Sequence, residues 1–264
     1  MTHAMATDLL ANSLSDFGVR RTRIIERASS PSAPLVVALD GGQASASALR
    51  MAIALLQPRK AGSRLADLRF EFRARARALA ESAHACGARL IVTALRSRQN
   101  RLPFGLSNIA PTLLRRATVP VLAVDAGARR APKTAVAAID FSMSSMEAAL
   151  AAVTILETPA TLYLLHVEPR IQLRDDTTAA NESRAASRLA SIARLWSGNG
   201  VRVVACALRG DVVEETLGLA RRVRADVIAC GQSVRHIIER TLIGSTARNL
   251  LNVAECSVLV APAE

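Results

Sequence analysis

Aromatic side chains are scarce in this sequence, with one Trp, one Tyr and five Phe among 264 residues. Half of the residues are nevertheless hydrophobic, so a large core is within reach and must be built from Ala, Val, Leu and Ile. Long apolar runs are missing too, and none approaches the roughly 18 residues of a membrane span. The opening stretch MTHAMATDLLANSLSDFGVRRTRIIER has acids before arginines. It lacks the basic start and apolar middle of a signal peptide, so the expected location is the cytoplasm. Cysteine is sparse: Cys86, Cys206, Cys230 and Cys256 are separated by 120, 24 and 26 residues. No pair has metal-ligand spacing, and reduced core thiols are expected, with redox sensing at Cys230 as the alternative. His3, His84, His166 and His236 show no metal or catalytic spacing. There is no Walker-type lysine, no nucleophile–base pair and no partnered carboxylate cluster, so a binding module is expected rather than an enzyme.

What the chain does have is arginine. The formal charge is +12, and 32 of the 34 basic residues are Arg. Residues 1 to 132 hold 20 basic and 8 acidic residues, whereas residues 133 to 264 hold 14 of each. The whole excess therefore belongs to the first half. Within QPRKAGSRLADLRFEFRARARALAESAHA, read as one long helix, Leu65, Leu68, Phe72 and Leu79 share a face. Arg69, Arg73 and Arg77 repeat every four residues on another. Without interleaved aromatics or a groove-reading motif, this stripe reads as a solvated face rather than a nucleic-acid surface.

The second half alternates strands and helices. KTAVAAID (133–140), ATLYLLHVE (160–168), VRVVACAL (201–208), ADVIACG (225–231) and CSVLVAP (256–262) are short apolar runs. Helical patterns separate them, one of which opens on Asp211 as an N-cap. Continuously apolar strands alternating with helices predict a parallel sheet covered on both faces, a doubly wound α/β domain. The first half repeats the ends of this plan. PLVVALDGG matches AVAAIDFS, with Asp40 in the place of Asp140 at an offset of 100. ARLIVTALRS and VPVLAVD match ADVIACGQS and CSVLVAP at an offset of 137. The first copy is thus shorter by 37 residues, which predicts that it lacks its second and third strands. The expected organisation is an extension over 1–32 (helix or mobile tail), a truncated domain over 33–126, a linker near 126–133 and a complete domain over 133–264.

AAIDFS, LLHVEP, ADVIACG, IGSTARNLL and CSVLVAP, in this order and spacing, resemble the universal stress protein family in its tandem form. The first copy shares only VALDGG, ARLIVTA and RRATVPVLAVD. The resemblance implies two adenine-nucleotide alpha-hydrolase-like domains in tandem. It implies ATP or another adenine nucleotide as ligand, with or without Mg. It also implies an internal pseudo-dimer in which the final strands of the two copies pair edge to edge. A homodimer of whole chains and an unidentified protein partner follow as further expectations, with no nucleic acid and no membrane.

In nucleotide-binding members the fourth strand opens onto a glycine loop that cradles phosphates at a helix N-terminus. Carried over residue by residue, Asp140 meets adenine or ribose, and Val167 contacts the base through its backbone. Gly231, Gln232, Gly244, Ser245 and Thr246 frame the phosphates. The second glycine of the loop is replaced by Val234, whose β-branched side chain resists positive φ and fills space beside the backbone. Structural readings stand beside these: Gly231 ends a strand, Gly244 lets a helix pack on the sheet, and Asp140 caps the next helix. In the first copy Ala94, Ser97, Ser107 and Asn108 take the corresponding places, so it is expected to bind no nucleotide. The alternative for the whole chain is a non-nucleotide-binding interaction protein of the same fold.

Overall fold

Strands that are apolar on both faces need cover on both faces, and the chain supplies it by returning a helix after almost every strand. The computed structural model describes residues 33–39, 43–56, 68–72, 75–95, 109–169, 176–232 and 244–263. In chain order the first-half elements are β1 (Leu35–Leu39), α1 (Gln43–Leu56), β2 (Leu68–Phe72), α2 (Ala76–Ala85), β3 (Leu90–Ala94), α3 (Ile109–Leu114) and β4 (Val121–Val124). The second-half elements are β5 (Thr134–Ala138), α4 (Met143–Ile155), β6 (Ala160–Glu168), α5 (Asp176–Trp196), β7 (Val201–Arg209), α6 (Val212–Val223), β8 (Val227–Gly231), α7 (Ser245–Val253) and β9 (Ser257–Ala261). The sheet runs β2-β1-β3-β4-β9-β8-β5-β6-β7. Every pairing is parallel except β4 with β9, which is antiparallel through Val121↔Val260, Leu122↔Leu259 and Ala123↔Val258. The expected edge-to-edge joint between the two final strands is therefore present, and it fuses both halves into one nine-stranded sheet.

The two-residue alternation of a strand sorts its side chains into two cores. Leu35, Val37, Leu122, Ala135, Ala137 and Leu259 face α1, α4 and α5. Val36, Ile91, Val121, Val136, Ile228 and Val260 face α2, α3, α6 and α7. Each core runs through the β4–β9 joint. Helix starts follow their caps: Asp211 accepts from Val213 N at 2.9 Å and Glu214 N at 3.0 Å, as its place in the sequence predicts. Arg221 and Arg222 in the last turn of α6 suit the helix dipole. Residues 126–133 connect β4 to β5, and Ala131 and Pro132 within them are buried. Asp226 fastens the start of β8 to that of β5 by accepting from Lys133 N (2.8 Å) and Thr134 N (2.9 Å). No helix among the described residues is long and apolar enough to cross a membrane.

One expectation about the first half is corrected. The stretch read as a single long helix holds β2, which lies parallel to β1 from Leu35↔Leu68 to Leu39↔Phe72. It takes the position that β6 holds beside β5, so the first half does have a second strand. Only the counterpart of β7 is missing among the described residues. LRFEF alternates bulky apolar with charged residues at period two, which suits a strand, and that local pattern overrides the four-residue arginine spacing. Helix α2 starts only after Arg75, with Ala76, Leu79, Ala80 and Ala83 buried at helical spacing. The arginine stripe is accordingly divided. Arg69 sits on a strand, Arg77 on a helix donating to Glu81 at 2.7 Å, and Arg73 lies outside the described residues, as does Leu65. Residues 1–32 also lie outside them.

Candidate functional site

The carboxyl ends of β8, β5 and β6, neighbours in the sheet, are the edge at which an open α/β sheet holds ligands. Asp140 follows β5 and is exposed. Its Oδ1 accepts from Ser142 N at 2.9 Å and from Ser142 Oγ. Ser142, rather than Asp140, is the N-cap of α4, accepting from Ser145 N at 3.2 Å. Asp140 thus orients the cap without being it. Val167 has a buried side chain, and its backbone lies beyond the last rung of the β5–β6 ladder, Ala138↔Leu165. Ile139 N donates to Leu165 O at 2.7 Å. By strand alternation the amide and carbonyl of Val167 face the same side as those of Leu165, into the space past β5.

Gly231 closes β8 against the first turn of α4. A Cβ there would stand 2.5 Å from the carbonyl carbon and from Oγ of Ser144, and closer still to Ser145 N. The glycine is needed for space, and the neighbour that needs it is a helix start, not the end of its own strand. Gln232 differs from its expected role. Its Nε2 donates to Leu114 O at 3.1 Å and its Oε1 accepts from Ala263 N at 3.1 Å. Its backbone N donates to Ala261 O at 2.9 Å, and its backbone O accepts from Ser144 Oγ at 2.8 Å. All four groups are satisfied by protein and the residue is buried, so Gln232 ties the second half to α3 of the first and is not presented to a ligand.

Gly244 is the N-cap of α7 at φ −52° and ψ 141°, a conformation open to any residue. Ser245, exposed, and Thr246, half-buried, begin α7, and Gly244 as N-cap has no side chain with which to cap the N-terminal amides of this helix. Val234 lies outside the described residues. In the first half Ala94 ends β3, while Asp40, Ser97, Ser107 and Asn108 lie outside them.

The sequence reading missed a cluster of three side chains that begins at Phe141, the residue after Asp140. Phe141 adopts a left-handed φ of 62°, which swings its ring to 5.0 Å from that of His166. The guanidinium of Arg188, on α5, lies 4.4 Å above the Phe141 ring. His166 Nδ1 is 2.7 Å from Ile139 O. The lone Phe after AAID was the available signal, because a large residue at a strand-to-helix turn must either pack or strain. A hollow of about 460 Å³ lies at the opposite, amino-terminal ends of β5, β6 and β7, lined by Lys133, Thr161 and Arg202 among others. It shares no residue with the candidate site.

Cys230, on β8, is fully buried, and its thiol is pushed up to about 12 by burial and then by the charge of Asp140. Cys256 is likewise pushed to about 12 by burial, then by Asp125 and Asp226. The reactive form is the thiolate, so the redox-sensing alternative for Cys230 is withdrawn. Both groups keep their protons in the folded state while an unfolded thiol titrates near 9.0. Their contribution to stability is therefore complete below pH 9 and is lost as the pH rises toward 12. For Cys230 the slope is about 1.4 kcal/mol per pH unit. Urea titrations of the parent and of Cys230→Ala at pH 8, 9.5 and 10.5 should show a stability gap that is constant below pH 9 and narrows above it. A gap unchanged at pH 10.5 contradicts this.

Residues 132–262 match the universal stress protein family. No curated protein matches the sequence. Among solved structures, a universal stress protein of Archaeoglobus fulgidus aligns with a TM-score of 0.57 at 16% identity, covering 88% of this chain and 99% of that one. A protein of unknown function from Pseudomonas aeruginosa aligns at 0.55 with 19% identity, covering 92% and 86%. At these identities the likeness is one of fold, extending over both halves. With the family match across its second half and the tandem fold across the described chain, this protein belongs to the universal stress protein family.

Proposed function

We propose that the second half binds an adenine nucleotide at the carboxyl ends of β8, β5 and β6, and that occupancy alters how the protein meets a partner. The observation that supports this best is convergence. An exposed carboxylate at Asp140, a β6 backbone edge free of its β5 neighbour at Val167, and the start of α7 at Gly244–Thr246, whose N-cap has no side chain, all belong to one end of one sheet. A carboxylate and a backbone edge suit ribose and base, and helix amides suit phosphate. The chemistry proposed is binding, with no catalytic group assigned. Mg would come with the phosphates rather than from a dedicated protein cage.

A second reading, an interaction protein of the same fold without a nucleotide, is favoured by a specific set of contacts. Gly231 is explained by Ser144 and Ser145, Asp140 by Ser142, and Gln232 by four protein partners. The two readings separate cleanly. The protein is purified without added nucleotide, denatured, and the supernatant assayed for ATP, ADP and AMP. Unfolding is then followed with and without Mg-ATP. A ligand at 100 times its Kd adds about 2.7 kcal/mol. No released nucleotide and no change in stability at millimolar Mg-ATP would leave the second reading standing.

A further inference from the structure

The missing counterpart of β7 leaves β2 at the edge of the sheet, and among the described residues nothing pairs with its outer side. In the second half the equivalent strand β6 is closed off by the nine residues of β7 and covered by α5. Among the described residues β2 has neither, and Phe70 is 44% exposed, while Leu68 two residues earlier is buried at 8%. An open edge carrying an exposed aromatic is a template for strand addition, and soluble proteins blunt such edges or use them.

We propose that β2 pairs antiparallel with β2 of a second copy of this chain about a twofold axis through Phe70. The argument lies in the strand's own sequence, Leu68-Arg69-Phe70-Glu71-Phe72, which is complementary to its reverse. Antiparallel pairing centred on Phe70 sets the two Phe70 residues opposite each other. It sets Arg69 opposite the partner's Glu71 and Glu71 opposite the partner's Arg69, with positions 68 and 72 facing across both ends. Opposite charges and paired aromatics are the favourable cross-strand combinations, and a twofold interface supplies each of them twice. Arg69 is exposed, and Glu71 is held by Ser82 Oγ at 2.6 Å, which fixes one member of each charge pair in advance. The nine-stranded sheet becomes an eighteen-stranded one with β7 at both outer edges. Any other register by one residue sets Phe70 opposite a charge, so the pairing also selects its own alignment. A five-residue ladder buries less than the roughly 800 Å² per partner of a standard interface, so the dimer dissociates on dilution through the micromolar range.

Sedimentation velocity of the full chain from about 1 to 200 µM tests this. The expected result is a monomer–dimer shift with concentration that Phe70→Lys abolishes. Arg69→Glu and Glu71→Arg each set like charges opposite one another and weaken dimerisation at least tenfold. The double variant Arg69→Glu/Glu71→Arg restores the charge pairs and recovers it, which a loss of folding or of the Ser82 contact does not do. A parent that is monomeric at 200 µM, a dimer that survives Phe70→Lys, or a double variant no better than the singles overturns the proposal. If residues 1–32 cover this edge instead, the parent stays monomeric.

Discussion

Gly231→Ala is expected to cost about 3 kcal/mol, the upper end of the range for adding volume to a packed site. Three facts put it there. The atoms that the new methyl meets are mostly backbone, the Ser144 carbonyl carbon and Ser145 N, so no rotamer change relieves the clash. Those atoms belong to the first turn of α4, which Ser142 and Asp140 hold in place. Moving that turn away also lengthens the 2.8 Å bond from Ser144 Oγ to Gln232 O, and Gln232 in turn holds Leu114 and Ala263. The matching variant Gly244→Ala faces no backbone strain: its φ of −52° suits alanine, and as an N-cap the change is expected to cost less than about 1 kcal/mol. Urea midpoints of both variants make the comparison. Similar losses would sink the packing account of Gly231. If Gly244 lies against phosphate, Gly244→Ala weakens Mg-ATP binding while leaving the midpoint nearly unchanged. The two glycines of one loop then have different jobs, one in the fold and one at the ligand.

Much of this is visible in the sequence because it is local. Asp211 sits where a cap belongs and caps. The five apolar runs of the second half become five strands in the expected order, and the end of the first half pairs with the end of the second. What was illegible is non-local or comes from competing periods. Gly231 resembles a phosphate-loop glycine, yet the atom a side chain there would meet first belongs to Ser145, 86 positions earlier, and nothing in either stretch announces that approach. Gln232 bonds to Leu114 across 118 positions, a contact that exists only because α3 and β8 are brought to the same joint. LRFEF was hidden by arginines spaced four apart on either side of a strand–helix boundary, a helical period produced by two different elements. Phe141 adds a further non-local case: its backbone is left-handed, and its ring meets His166, 25 positions on, and Arg188, 47 positions on.

Leu259→Ala should cost about 3 to 4 kcal/mol, within the range for deleting a buried leucine, and the loss should appear on both sides of the joint. Leu259 is fully buried at the centre of β9, opposite Leu122 of β4 and beside Ala229 of β8. Its side chain lies in the core that runs from Leu35, Val92 and Leu122 to Ala135, Ala137 and Leu162 without a break. A cavity here weakens packing that neither half holds alone. Gln232 adds a buried polar connection on the same joint, from the end of β8 to α3. Two halves joined by a continuous core and by satisfied buried hydrogen bonds should unfold together, whereas halves joined only by a tether should unfold in turn. Hydrogen exchange reads the difference directly. In Leu259→Ala, the slowest amides of β1 and β3 should lose the same protection as those of β5 and β8. If β1 and β3 keep their protection while β8 loses it, the halves are separate folding units and the β4–β9 ladder is only a contact between them.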